Sequence, residues 1–127
     1  MRRLSHRLWA ALLLAAAVTA AAAQPRHDFD ATRTVLPKTV LPSHYTLSLQ
    51  LDPQRERFSG RALVRVTARE PVRSIVLHAR GLKAQQVHLY SGAQRRTLRV
   101  AADPRTHTWR LTPTDGRPIA AGSHRLV

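Results

Sequence analysis

Histidine has the widest chemical reach of the side chains in this sequence, because a neutral imidazole ligates metals and a protonated one donates a proton. There are seven. His78, His88 and His107 fall in segments that read as strands, where neighbouring strands can bring side chains together. No two of them share a short ligand interval, and the chain has no cysteine to complete a set. The seven carboxylates are scattered, with no pair placed for general acid–base work. The sequence contains no His-Glu-x-x-His helix, no glycine-rich phosphate loop and no Gly-x-Ser-x-Gly elbow. The expectation is therefore surface or half-buried histidines and no catalytic, cofactor-binding or metal residue. Tyr45 and Trp109 read as core aromatics, not as ligand platforms.

Charge is the other feature with chemical content. The net charge is +14, and of 21 basic residues only Lys38 and Lys83 are lysine. Such a balance raises nucleic acid as a partner. A stacking interface needs aromatics interleaved with the basic side chains, and the one dense group, Arg95, Arg96 and Arg99, encloses none. The arginines therefore read as solvated strand faces, and no nucleic-acid partner is expected.

The elements that position these residues begin after a leader. Arg2, Arg3 and Arg7 precede an apolar run over residues 8–18, and Ala21, Ala22 and Ala23 supply the small residues of a cleavage site. Residues 1–23 are read as a signal peptide, because the run is shorter than the roughly 20 apolar residues of a bilayer span. The expected location is outside the cytoplasm, periplasmic or secreted, with membrane contact only transient during export. Without cysteine, an exported fold must be stable without disulfides.

Residues 24–38 are polar and aperiodic, an extended arm. From His44 the period is two: Tyr45, Leu47, Leu49 and Leu51 share one face of a half-buried strand, closed by Asp52-Pro53. Phe58, Gly60, Ala62, Val64, Val66 and Ala68 alternate with Arg61, Arg65 and Arg69 in the next. Gly60 marks a bulge or a close backbone approach. Residues 74–79 read as a more central strand, and Val87/Leu89, Leu98/Val100/Ala102 and His107/Trp109/Leu111 give three more. Six strands without an amphipathic helix predict an all-β domain, saddle-like or sandwich-like, antiparallel or mixed, over residues 39–127. Residues 122–127 read as a turn into a strand cut short, which would leave the domain incomplete and one sheet edge uncovered.

Four segments resemble one family in order. Leu36-Pro37 with Val40-Leu41-Pro42-Ser43-His44-Tyr45 is similar to the opening of aminopeptidase N-like zinc metallopeptidases, and Phe58-Ser59-Gly60 to their Phe-x-Gly strand. Ile75-Val76-Leu77-His78-Ala79 and Ala121-Gly122-Ser123-His124-Arg125-Leu126 continue the likeness, with His124 where an aromatic is common and Pro53 where a leucine is usual. The resemblance implies a non-catalytic, mostly β capping domain. Its partner would be a C-terminal catalytic domain of the same polypeptide, which holds the zinc and acts on peptide substrates. None of that family's catalytic motifs maps onto a residue here, so the chain alone is expected to be inactive. The alternative from another class is a free-standing secreted β-domain that binds an acidic envelope partner through its arginine faces.

Overall fold

A computed structural model gives the architecture of residues 28–127; the expected leader and the first part of the arm lie outside these described residues. The described residues fall into two units, 28–32 and 33–127. In the first unit the Asp28 carboxylate accepts hydrogen bonds from the amides of Asp30 and Ala31, and the Thr32 hydroxyl donates to the Asp28 carbonyl. This forms one local turn.

The second unit is all-β. Its strands are β1 (Val40–Asp52), β2 (Arg57–Ala68), β3 (Ile75–His78), β4 (His88–Ser91), β5 (Gln94–Asp103), β6 (Thr108–Pro113) and β7 (Gly122–Leu126). They form one curled, wholly antiparallel sheet in the order β1-β2-β7-β4-β5-β6-β3. The expected all-β class therefore holds, with seven strands instead of six. β5 bends the sheet, since residues up to Thr97 pair with β4 and those from Leu98 pair with β6.

One face of the sheet is filled. Ile75, Val87, Leu89, Leu98, Leu111, Ile119 and Leu126 make the core, with Val64, Val72, Val100 and Trp109 packed against it. On this inner face β2 contributes Val66 and Ala68, both buried. The outer face carries the alternate residues, among them Arg61, Arg65 and Arg125. The period-two reading of β2 is thus the observed pleat.

Ser43 explains how β1 keeps one apolar side despite a change of parity. The register shifts between Pro42 and His44, so Ser43 is the extra residue of a bulge and the alternation restarts one place later. Val40 and Pro42 before it, and Tyr45, Leu47, Leu49 and Leu51 after it, then all lie on the side of Val64 and Val66. Gly60, in contrast, is no bulge. It sits opposite Leu49 in unbroken register, and a Cβ there would collide with the Ser48 carbonyl, which is the close approach expected of a glycine inside a strand.

Four expectations need correction. β3 is an edge strand, not a central one; its apolar run covers the core through Ile75 and Leu77, while Val76 points to the other face opposite Arg110. His107 lies in the turn before β6 with a left-handed backbone, φ 53°. Tyr45 is 58 % exposed and no part of the core. Finally, β7 is not an uncovered edge. It fills the slot between β2 and β4, and Val127 and His88 exchange both backbone hydrogen bonds, at 2.8 and 2.9 Å. Among the described residues, the edge strands of the sheet are β1 and β3.

Candidate docking interface

The first question for a site is whether the fold assembles chemistry that spacing hid. His78 ends β3 opposite Thr108, and the Ala79 amide donates to the His107 carbonyl at 2.8 Å, so these two histidines reach one end of the β3–β6 ladder. His88 lies on β4 against Thr97. The three do not form a ligand set, and among the described residues no group of three or more His, Cys, Asp or Glu side chains converges.

The fold does create one contact that spacing could not reveal. The Ser91 hydroxyl lies 2.7 Å from His124 Nδ1, and His124 Nε2 lies 2.8 Å from the Ala120 carbonyl. A carbonyl only accepts, so in the neutral ring Nε2 carries the hydrogen and Nδ1 accepts from Ser91. A serine hydrogen-bonded to a histidine is the start of a nucleophilic pair. Here, however, the ring is only 7 % exposed and its second nitrogen is held by backbone. The arrangement satisfies a buried polar side chain and ties β7 to β4.

Arg96 shows the same logic at the rim. It faces Leu89, on the inner side, and its guanidinium grips both Asp115 oxygens at 2.6 and 2.9 Å while donating to the carbonyls of Arg117 and Pro118. The Arg96 guanidinium, followed by the Arg117 amide, holds the Asp115 carboxyl below the ordinary carboxylate range. These contacts fix the turn that leads through Ile119 into β7. The arginine cluster of the sequence is therefore split, with Arg96 turned inward and Arg95 and Arg99 outward.

What the protein leaves without an explanation of its own is the far half of the β1–β2 hairpin. β2 pairs with β7 only from Val64 to Ala68. Among the described residues, 57–63 have β1 as their one neighbouring strand, so the hairpin projects past β7 as a two-stranded ribbon. On its inner side Leu51 faces Phe58, Leu49 faces Gly60 and Leu47 faces Ala62. Tyr45, Leu47, Leu49, Leu51 and Phe58 are 56–70 % exposed.

A two-stranded ribbon is marginal by itself, and a contiguous apolar surface of this size marks an interaction site. Fully burying a large apolar side chain contributes about 1.5–3 kcal/mol. Covering five that are more than half open would contribute on the order of 5 kcal/mol before the costs of association. The opposite side of the same ribbon carries Ser48, Gln50, Ser59 and Arg61, which suit water. Sequence reasoning found this alternation but placed the apolar side in a half-buried strand.

The clefts of the domain offer less. One lies between the start of β1 and β3, lined by Val40, Val72, Ser74 and Arg110, and another at the fork of β4 and β5, lined by Val87, His88, Arg95 and Leu98. Neither lining includes a carboxylate. The strongest candidate site is therefore the apolar side of the projecting hairpin, a surface for docking. Residues 41–115 match the family model described as Peptidase M1 N-terminal domain. No curated protein matches the chain.

Proposed function

The chain belongs to the Peptidase M1 N-terminal domain family, and from that membership we propose that it is the non-catalytic capping module of an exported zinc aminopeptidase. In M1 peptidases this domain accompanies a C-terminal catalytic domain. The module docks on that domain through Tyr45, Leu47, Leu49, Leu51 and Phe58, and the catalytic domain supplies the metal and the peptide chemistry. The observation that carries this reading is the ribbon itself. Among the described residues it projects Leu47, Leu49, Leu51 and Phe58 from one side of an element with no third strand beside it, with exposed Tyr45 at its base opposite Val64.

Export rests on the leader, with its arginines, its apolar run and its small residues at 21–23. Capping rests on geometry, because a curled sheet with an apolar arm at one end can brace a second domain while its own core stays closed. The test is association. The chain is mixed with an M1 catalytic domain and followed by sedimentation velocity. Co-sedimentation that is abolished by Leu47→Thr, Leu49→Thr and Leu51→Thr together is the expected result. Association that survives these substitutions, or no association by the unaltered chain, overturns the reading.

A further inference from the structure

We propose that the outer face of the sheet is a docking surface for an anionic lipid bilayer, built around Arg65, Arg125 and Arg95. The strand registers set these residues in one row. Arg65 of β2 faces Arg125 of β7, Arg125 faces Tyr90 of β4, and Tyr90 faces Arg95 of β5. With strands about 4.8 Å apart, Arg65 and Arg125 are immediate neighbours of like charge, an arrangement that destabilises a sheet unless something compensates it.

Among the described residues, no negative charge does so. Arg61, Arg65, Arg95, Arg99 and Arg125 are all exposed, and none takes part in the ion pairs found among the described residues. The carboxylates of this face stand at its ends, Asp52 beside the hairpin turn and Asp103 at the last residue of β5. Arg125 instead lies over the Tyr90 ring, its guanidinium carbon 5.4 Å from the centroid, a cation–π contact that supplies no negative charge. Guanidinium groups match phosphate oxygens bidentately, so a row of exposed arginines suits phosphate groups.

The layout selects the source of that phosphate. The charges extend in two directions, since Arg61 and Arg65 repeat along β2 and Arg95 and Arg99 along β5, about 13 Å apart at 3.3 Å per residue. A two-dimensional array suits a sheet of headgroups better than a single thread. A single-stranded nucleic acid also needs a stacking platform. Tyr90 has one ring face covered by Arg125, and Tyr45, Phe58 and Trp109 lie on the inner side of the sheet. The face is opposite the apolar side of the hairpin, so both surfaces can be occupied at once.

The test uses the full chain, residues 1–127, with vesicles of phosphatidylcholine containing phosphatidylglycerol and with vesicles of phosphatidylcholine alone. The hairpin can touch either kind and the leader, with Arg2, Arg3 and Arg7, is common to every variant, so the measured quantity is the ratio of the two affinities in a sedimentation assay, compared between variants. At roughly one favourable headgroup interaction per arginine, the expected preference for the anionic vesicles is about tenfold or more. Replacing Arg65, Arg95 and Arg125 by glutamine removes most of that ratio. Replacing them by lysine keeps most of it, and so does replacing Arg55, Arg80 and Arg105, three loop arginines outside the face, by glutamine. Equal losses in the two glutamine sets would show a net-charge effect and overturn the proposal. Displacement of the vesicles by a single-stranded oligonucleotide at equal phosphate concentration would overturn it in favour of nucleic acid.

Discussion

Leu51 faces Phe58 across the β1–β2 ladder just before the hairpin turn, and the two side chains are 70 % and 57 % open to solvent. A cross-strand apolar pair at the exposed end of a ribbon does little for the chain that carries it. Replacing Leu47, Leu49 and Leu51 by threonine should therefore leave the denaturation midpoint of the chain nearly unchanged, within about 0.5 kcal/mol per site, because threonine suits a strand. The same variant should self-associate less in sedimentation. A loss of several kcal/mol would show that the ribbon is part of the core.

Adjacent residues of β2 should differ sharply. Val66→Asp buries an unpaired charge at a 5 % exposed position and should cost about 3–5 kcal/mol. Arg65→Asp puts a carboxylate opposite Arg125 and should stay within about 0.5 kcal/mol of the parent or exceed it. Urea melts of the two variants compare them directly.

Ser91→Ala should destabilise the chain by about 1–3 kcal/mol, because it leaves Nδ1 of the buried His124 without its donor. The midpoint in urea should fall with the slope unchanged. An unchanged midpoint would mean that the ring has found another partner.

Acid should loosen the turn before β7. The carboxyl of Asp115 is depressed below its ordinary value of 3.8, chiefly by the Arg96 hydrogen bonds. A depressed carboxyl stabilises the fold at pH values above its unfolded pKa, and that stabilisation is lost as pH falls through the lower folded value. Thermal melts taken from neutral into acid solution should show this decline, and Asp115→Asn should flatten it. The group is exposed, so the effect is small.

Export makes a separate expectation. Secreted or periplasmic material should begin at Gln24 or within a few residues, by intact mass. Material that retains Met1 would contradict the reading of the leader.

The pleat was legible in the sequence, and depth was not. Alternation in β1 and β2 assigned each side chain to a face, because period two leaves no other choice. It could not tell buried Val66 from exposed Leu49, since both continue one apolar stripe and only the extent of β7 decides which part is covered. Trp109 and Tyr45 are alike in sequence, yet Trp109 packs on the core and Tyr45 stands exposed at the base of the ribbon. Pairings across distant strands were hidden for the same reason. Ser91 and His124 are 33 residues apart, and no local pattern places Tyr90 between Arg125 and Arg95. β7 was misread because its neighbours, β2 and β4, are distant in the chain, and strand order is a long-range property.

A single introduced thiol reads out whether the apolar side of the hairpin is buried against an M1 catalytic domain. The chain has no cysteine, so Leu49→Cys and, on the opposite side, Ser48→Cys each report one position. Maleimide labelling is timed for each variant alone and in the presence of the catalytic domain. Leu49→Cys should react freely alone and slow by about tenfold or more in the mixture, in line with burial in a docked interface, while Ser48→Cys keeps its rate. Equal labelling of Leu49→Cys in both conditions would contradict that burial.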